Sequence, residues 1–175
     1  PVLCGAFSTS MEIPKRLLDR EMSFVPNLSF PIVDVRDCAK AHINALTKDT
    51  AVGQRHILYT KTVSLPEMAQ ILKTEFKPQG YKVPTTIAPY PLLWLAARFD
   101  KTVQLILPSV GRVLKIDSNK MTDVLGVQPH DIKDTFIDMA YSMIDSGKIK
   151  KTRKYKPREE SNSTDCNVCI LGDCE

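Results

Sequence analysis

Asp34, Arg36, Asp37 and His42 fall within nine residues of one another in a chain of 175. Two carboxylates, a guanidinium and an imidazole at that spacing could form an acid–base centre, a carboxylate orienting the imidazole as general base. The same residues fit a structural role equally simply: a helix cap, an ion pair at a strand end and a histidine on a helix face. A histidine with no placed partner favours the structural reading. The second candidate is Cys166-x-x-Cys169-x4-Cys174. Its three sulfurs, with no histidine nearby, fall short of the tetrahedral set that closes a zinc site. A basic run followed by cysteines could also mark a polybasic, acylated membrane contact. Asp173 and Glu175 lie between and after those cysteines and argue against it. A solvated tail is the simpler account.

The elements that must position these residues can be read from periodicity. Pro31 to His42 reads as a strand, with Val33 and Val35 on one face, running straight into a helix. Asp37 is placed to cap that helix, and Cys38, Ala39, His42, Ala45 and Leu46 follow as its apolar stripe. Upstream, Pro1 to Gly5 is a short apolar strand. Thr9 and Glu12 make a capping box that opens a helix to about Arg20, burying Ile13, Leu17 and Leu18. Downstream, Arg55 to Tyr59 reads as a strand. Ser64, Pro66 and Glu67 open a helix that carries Leu65, Met68, Ala69 and Leu72 to Phe76. Pro91 starts a short helix, and Val113 to Ile116 reads as a strand. Ser118 caps a helix that stops at Gly126. Asp131 opens the last helix, which buries Ile132, Phe136, Met139, Ala140, Met143 and Ile144.

These segments, in this order, resemble one family. Val33-Asp34-Val35-Arg36-Asp37 with Ala41-His42 resembles the Val-Asp-Val-Arg-Asp-Val-Ala-x-Ala-His segment of extended short-chain dehydrogenases/reductases, the NAD-dependent epimerase/dehydratase superfamily. The likeness is to the dihydroflavonol-reductase-like and aldehyde-reductase branch. Pro1-Val2-Leu3-Cys4-Gly5 is similar to its Asn-Pro-x-x-Val-x-Gly-Pro strand, with Ala6 where proline is usual. Ser118-Asn119-Lys120, Leu125-Gly126 and Pro129 are similar to its late Ser-x-Lys…Leu-Gly-x-x-Pro signature. The likeness runs from Pro1 to about Lys150.

The resemblance implies an α/β fold: the C-terminal part of an NAD(P)-binding Rossmann-type fold with its helical substrate-binding region. Residues 1–150 would be the C-terminal, substrate-binding half of such an enzyme and 151–175 a disordered tail. The implied parent uses NADP or NAD to reduce an aldehyde or ketone, or oxidise an alcohol, on a small or aromatic substrate. Pro1, Val2, Leu3 and Cys4 would then lie against the nicotinamide, and Ser10 would meet the cofactor. Ile13, Leu17, Phe30, Pro31 and Trp94 would border the substrate pocket, although large apolar residues are usually core whatever else they do.

Two parts of the family's chemistry are missing from this sequence. Its cofactor half begins with a Gly-x-x-Gly-x-x-Gly turn that lets backbone approach a pyrophosphate. The seven glycines here, at 5, 53, 80, 111, 126, 147 and 172, include no such cluster. Its general acid is a tyrosine with a lysine four residues later. None of Tyr59, Tyr81, Tyr90, Tyr141 and Tyr155 has that lysine. The expectation is therefore a fragment, inactive alone, with no catalytic residue of its own and no metal site. The competing class is a non-catalytic interaction protein that retains only the substrate-binding half.

Composition bounds the partners. Apolar content of 43% and charged content of 25% suit a globular domain. The net charge of +4 is concentrated at one end: Lys148 to Arg158 carries seven basic residues and no acid, and Glu159 to Glu175 five acids and no base. That leaves +2 for residues 1–147, too little for a nucleic-acid face. No apolar run approaches the roughly 20 residues of a membrane span. The expected partner is a small-molecule carbonyl or alcohol, a homodimer is a further candidate, and Cys4 and Cys38 as packed thiols fit the cytoplasm.

Overall fold

The computed structural model describes residues 8–99 and 101–158. Helix α1 spans Thr9–Leu18 and opens at Ser8, not at Thr9. Its inward face is Met11, Leu17 and Leu18, with Ile13 half-buried beside them. Strand β1 (Ser29–Ile32) pairs antiparallel with β2 (Lys61–Ser64), Ser29 opposite Ser64 and Ile32 opposite Lys61. Between them lies α2, Val35–Thr47. Helix α3 (Leu65–Phe76) follows β2 directly. Ser64 caps it by accepting from the Glu67 amide at 3.2 Å, while the Glu67 carboxylate turns to Lys61 at 2.8 Å. The short helices α4 (Tyr90–Ala96), α5 (Lys101–Ile106) and α6 (Asn119–Asp123) lead to α7, Ile132–Asp145.

Two apolar clusters hold these elements. The larger joins α1, α3 and α7 through Leu17, Leu72, Phe76, Phe136, Met143 and Ile144, all essentially without exposed surface. The Phe76 ring meets Tyr141 at 4.9 Å and Tyr81 edge-on at 5.8 Å. The smaller packs Ala41 of α2 on Met121, Leu125 and Val127. Asn44 and Lys48 donate to the Leu125 and Val124 carbonyls at 2.7 and 3.0 Å, closing the end of α6. Gly126 has φ +68, and a Cβ there would sit 2.9 Å from the Lys48 ammonium. The backbone conformation favours glycine here, and a side chain would also displace the flexible end of Lys48 from its place.

Several expectations are corrected. The cap of α2 is Asp34, which accepts from the Arg36 amide at 2.8 Å, and not Asp37. Strand β1 accordingly ends at Ile32, before Val33 and Val35. The stripe of α2 is narrower than expected: Ala41 is buried, whereas Leu46 is 89% exposed and His42 faces solvent. Residues 55–59 and 113–116 form no ladder among the described residues. Alternation gives a segment a strand's shape, but a strand also needs a neighbouring backbone. The last turn of α4 and the chain after it leave Trp94, Leu95 and Phe99 exposed.

The ordered body continues beyond Lys150. The Thr152 hydroxyl donates to the Gln79 carbonyl, and the Lys156 amide meets the Gln79 side chain at 3.3 Å. Tyr155 packs on the larger cluster, and Arg158 pairs with Asp134 and Asp138. The rest of the stretch read as a tail, including Cys166, Cys169 and Cys174, lies outside the described residues. Removing residues 151 onward should lower stability by about 1–2 kcal/mol, from loss of the Tyr155 contact and its hydrogen-bonded neighbours. Thermal unfolding of the chain truncated after Lys150 checks this, and an unchanged Tm would show these contacts contribute nothing in solution.

Candidate functional site

The segment Val33–Asp37 is the hub between α2 and α7. Asp34 has 1% of its surface exposed, and its carboxylate takes the Arg36 guanidinium in a two-pronged contact at 2.9 and 2.7 Å. It also accepts from the Thr135 hydroxyl of α7 at 2.7 Å. Arg36 reaches on to Asp138 at 2.9 Å. Burial alone would push the Asp34 carboxyl up. The hydrogen bonds from Arg36 and Thr135, with the Arg36 charge, outweigh that and hold it well below the usual carboxylate range. A carboxylate held so firmly in its charged form makes a strong anchor and a poor proton carrier.

Asp37, one turn later, is fully buried. It accepts from the His130 amide at 2.8 Å and pairs with Nδ1 of the His130 ring. The carboxylate–imidazole pair is therefore Asp37–His130, with a histidine 93 residues away in sequence. His42 instead bonds within its own helix, its Nδ1 2.7 Å from the Cys38 carbonyl oxygen. Asp34, Arg36, Asp37 and His42 do not converge on a common point, and no acid–base centre forms from them.

The residues expected to form the site are placed as follows. Pro1, Val2, Leu3 and Cys4 lie outside the described residues. Ser10 is exposed in the first turn of α1, its hydroxyl 2.8 Å from that of Ser8. Leu17 is completely enclosed in the larger cluster, against which Ile13 and Phe30 are half-buried. Pro31 is exposed on β1 opposite Thr62. Trp94 is half-exposed on α4 beneath the Arg98 guanidinium, 5.4 Å from the ring centroid. The structure thus gathers Ile13, Leu17 and Phe30 on one core and leaves Pro31 and Trp94 at the surface.

Neither Tyr81 nor Tyr141 is prepared as an acid for catalysis. A phenol that protonates a carbonyl oxygen at neutral pH needs a neighbouring cation to bring its pKa down. Burial pushes Tyr81 up. Tyr141 is pushed up to about 12 by burial and by donating to Glu75 at 2.8 Å. The positive-φ glycines, at 53, 80, 111, 126 and 147, are each isolated in turns. Among the described residues there is therefore no clustered glycine turn of the kind that cradles a dinucleotide pyrophosphate. Among them there is also no cluster of histidine, cysteine and carboxylates able to hold a metal ion, and no helix is long and apolar enough to cross a membrane.

No family model matches the chain. Among curated proteins, it is 29% identical over 138 residues to GRP2 of Candida albicans, named for NADPH-dependent methylglyoxal reduction, covering 78% of this chain and 36% of that protein. It is 28% identical over 156 residues to a Synechocystis protein named for dihydroflavonol 4-reductase, covering 79% and 44%. Among solved structures, Gre2 of Candida albicans in complex with NADPH superposes with a TM-score of 0.58 at 25% identity, over 82% of this chain and 38% of that one. The protein gox2253 superposes at 0.62 with 20% identity, over 82% and 46%. Fold and sequence together define the class: an α/β body that is part of a Rossmann-type reductase fold. By sequence, the chain is similar to part of NADPH-dependent reductases, the dihydroflavonol-reductase-like proteins among them. It spans less than half the length of the curated relatives it matches.

Proposed function

We propose that this chain is the substrate-side part of an NADPH-dependent reductase of small or aromatic aldehydes and ketones. The carrying observation is the match, over 78% of the chain, to a protein named for NADPH-dependent methylglyoxal reduction. On this reading residues 1–150 form the C-terminal half of the enzyme. A second half with the glycine turn and the Tyr-x-x-x-Lys pair supplies the dinucleotide site and the acid. NADPH would bring the hydride for the carbonyl carbon. This chain would shape the substrate wall with Ile13, Phe30, Pro31 and Trp94, with Leu17 backing that wall from inside the core, and meet the cofactor at Pro1, Val2, Leu3, Cys4 and Ser10. Exposed Ile43, Leu46 and Ile57, with the unladdered stretch 55–59, support the reading. Uncovered apolar groups and unpaired extended backbone are what a larger sheet would cover.

The reading has a direct test. The chain alone should show no tight binding of NADPH in calorimetric titration, because it lacks a pyrophosphate cradle. Joined behind a reductase N-terminal half that carries the glycine turn and Tyr-x-x-x-Lys, it should oxidise NADPH with methylglyoxal or an aromatic aldehyde. Micromolar NADPH binding by the chain alone, or a folded fusion that binds NADPH but reduces no carbonyl, would overturn the proposal.

A further inference from the structure

We propose that the cleft between the end of α1 and the end of α3 binds a small organic phosphate. The cleft encloses about 540 Å³ and is lined by four cations: Arg20 after α1, Lys73 and Lys77 in and just after the last turn of α3, and Lys82 in the loop beyond. No carboxylate lines it. The acids flanking Arg20 in sequence, Asp19 and Glu21, are both taken by Lys15, at 2.6 and 3.4 Å. Lys73 donates to the Thr85 hydroxyl at 2.9 Å, a neutral partner, and makes no ion pair among the described residues. Arg20, Lys77 and Lys82 make no ion pair among the described residues. Like charges gathered around one space repel unless an anion sits among them. Lys73 and Lys77 also suit the negative end of the α3 dipole, but the dipole does not account for Arg20 and Lys82 at the same cleft.

Arg20 carries a second sign. Helix α1 ends with the Glu21 amide bonded to the Arg16 carbonyl at 2.9 Å, a closure that puts the residue between cap and bond in the left-handed region. Glycine is favoured there, yet arginine occupies it at φ +59. A strained backbone position thus places an arginine at the cleft. The floor is apolar: Tyr81 and Val83 are buried, with Met22 and Pro84 beside them. Tyr81 directs its hydroxyl at the Lys150 carbonyl, 3.1 Å away, so it offers a ring and not a donor. A cationic rim over an apolar floor fits a phosphate on an organic body. The near-neutral body and the size of the cleft favour a small molecule over a nucleic acid.

Calorimetric titration of the 175-residue chain tests this, with phenyl phosphate, inorganic phosphate and benzoate as probes. Phenyl phosphate should bind saturably at low salt with a Kd of about 1 mM or tighter, and the other two probes several-fold more weakly. Arg20→Gly relieves the backbone strain, so its Tm should hold or rise while phenyl phosphate affinity falls about tenfold. Lys77→Gln should weaken binding similarly, and Lys115→Gln, outside the cleft, should not. Absence of saturation, equal weakening by Lys115→Gln, or unchanged affinity in Arg20→Gly would overturn the site. Inorganic phosphate binding as tightly as phenyl phosphate would overturn the organic ligand. None of these readouts depends on reductase activity.

Discussion

Replacing Asp34 with alanine is expected to destabilise the protein by about 3 kcal/mol, since it removes a helix cap, a buried hydrogen-bond acceptor and the carboxylate of a partly exposed ion pair together. In a chain of this size that lowers Tm by roughly 6–12 °C. The loss has three sources: the Arg36 amide at 2.8 Å, the guanidinium contact at 2.9 and 2.7 Å, and the Thr135 hydroxyl at 2.7 Å. Asp34→Asn keeps a competent cap but removes the charge, so it should fall between wild type and alanine. The pH dependence follows from the same carboxylate. Its folded pKa lies below the ordinary 3.8, so the stabilisation is complete above that value and is lost as pH falls below it. Asp34→Ala should lack this part of the acid sensitivity. An Asp34→Ala protein as stable as wild type at neutral pH would show that the hub holds nothing.

How far the sequence was legible varies with the range of the interaction. The Ser64 cap, the Asp131 cap and the stop at Gly126 are local chemistry, and all appear where spacing put them. The sequence locates the central segment but points to a cap one helical turn too late. Asp34 and Asp37 are equally good caps in isolation. What decides between them is a hydroxyl at Thr135 and an imidazole at His130, both about a hundred residues away. No local pattern carries that information, although Asp131 as a cap does place Thr135 in the first turns of α7. Alternation alone makes residues 55–59 look like a strand, yet their backbone has no ladder partner among the described residues. The cationic cleft was invisible for a similar reason. Lys73 and Lys77 share one face of α3 by spacing, but only the fold brings Arg20 and Lys82 to them. The family likeness was legible because it rests on ordered short motifs, which survive at an identity where contacts cannot be inferred residue by residue.

The proposed substrate wall can be divided by burial, and a fused, active reductase would make the division measurable. Leu17 has no exposed surface and Phe30 is only half-buried on β1, although both touch the same cluster. Leu17→Ala should therefore act through stability, at about 2–5 kcal/mol for a leucine-sized cavity, with KM of the folded enzyme nearly unchanged. Phe30→Ala should instead raise KM and reorder aldehyde substrates. An apolar wall contact binds ground and transition states alike, and losing one typically changes discrimination by about 10–200-fold. His42→Gln should alter neither, since its imidazole bonds only within its own helix. Steady-state kinetics with a short and an aromatic aldehyde, paired with thermal unfolding, separates these effects. If Phe30→Ala lowered Tm and left every KM in place, Phe30 would be core alone, and the substrate wall would have to be sought at Pro31 and Trp94, both of which are solvent-facing in the described structure.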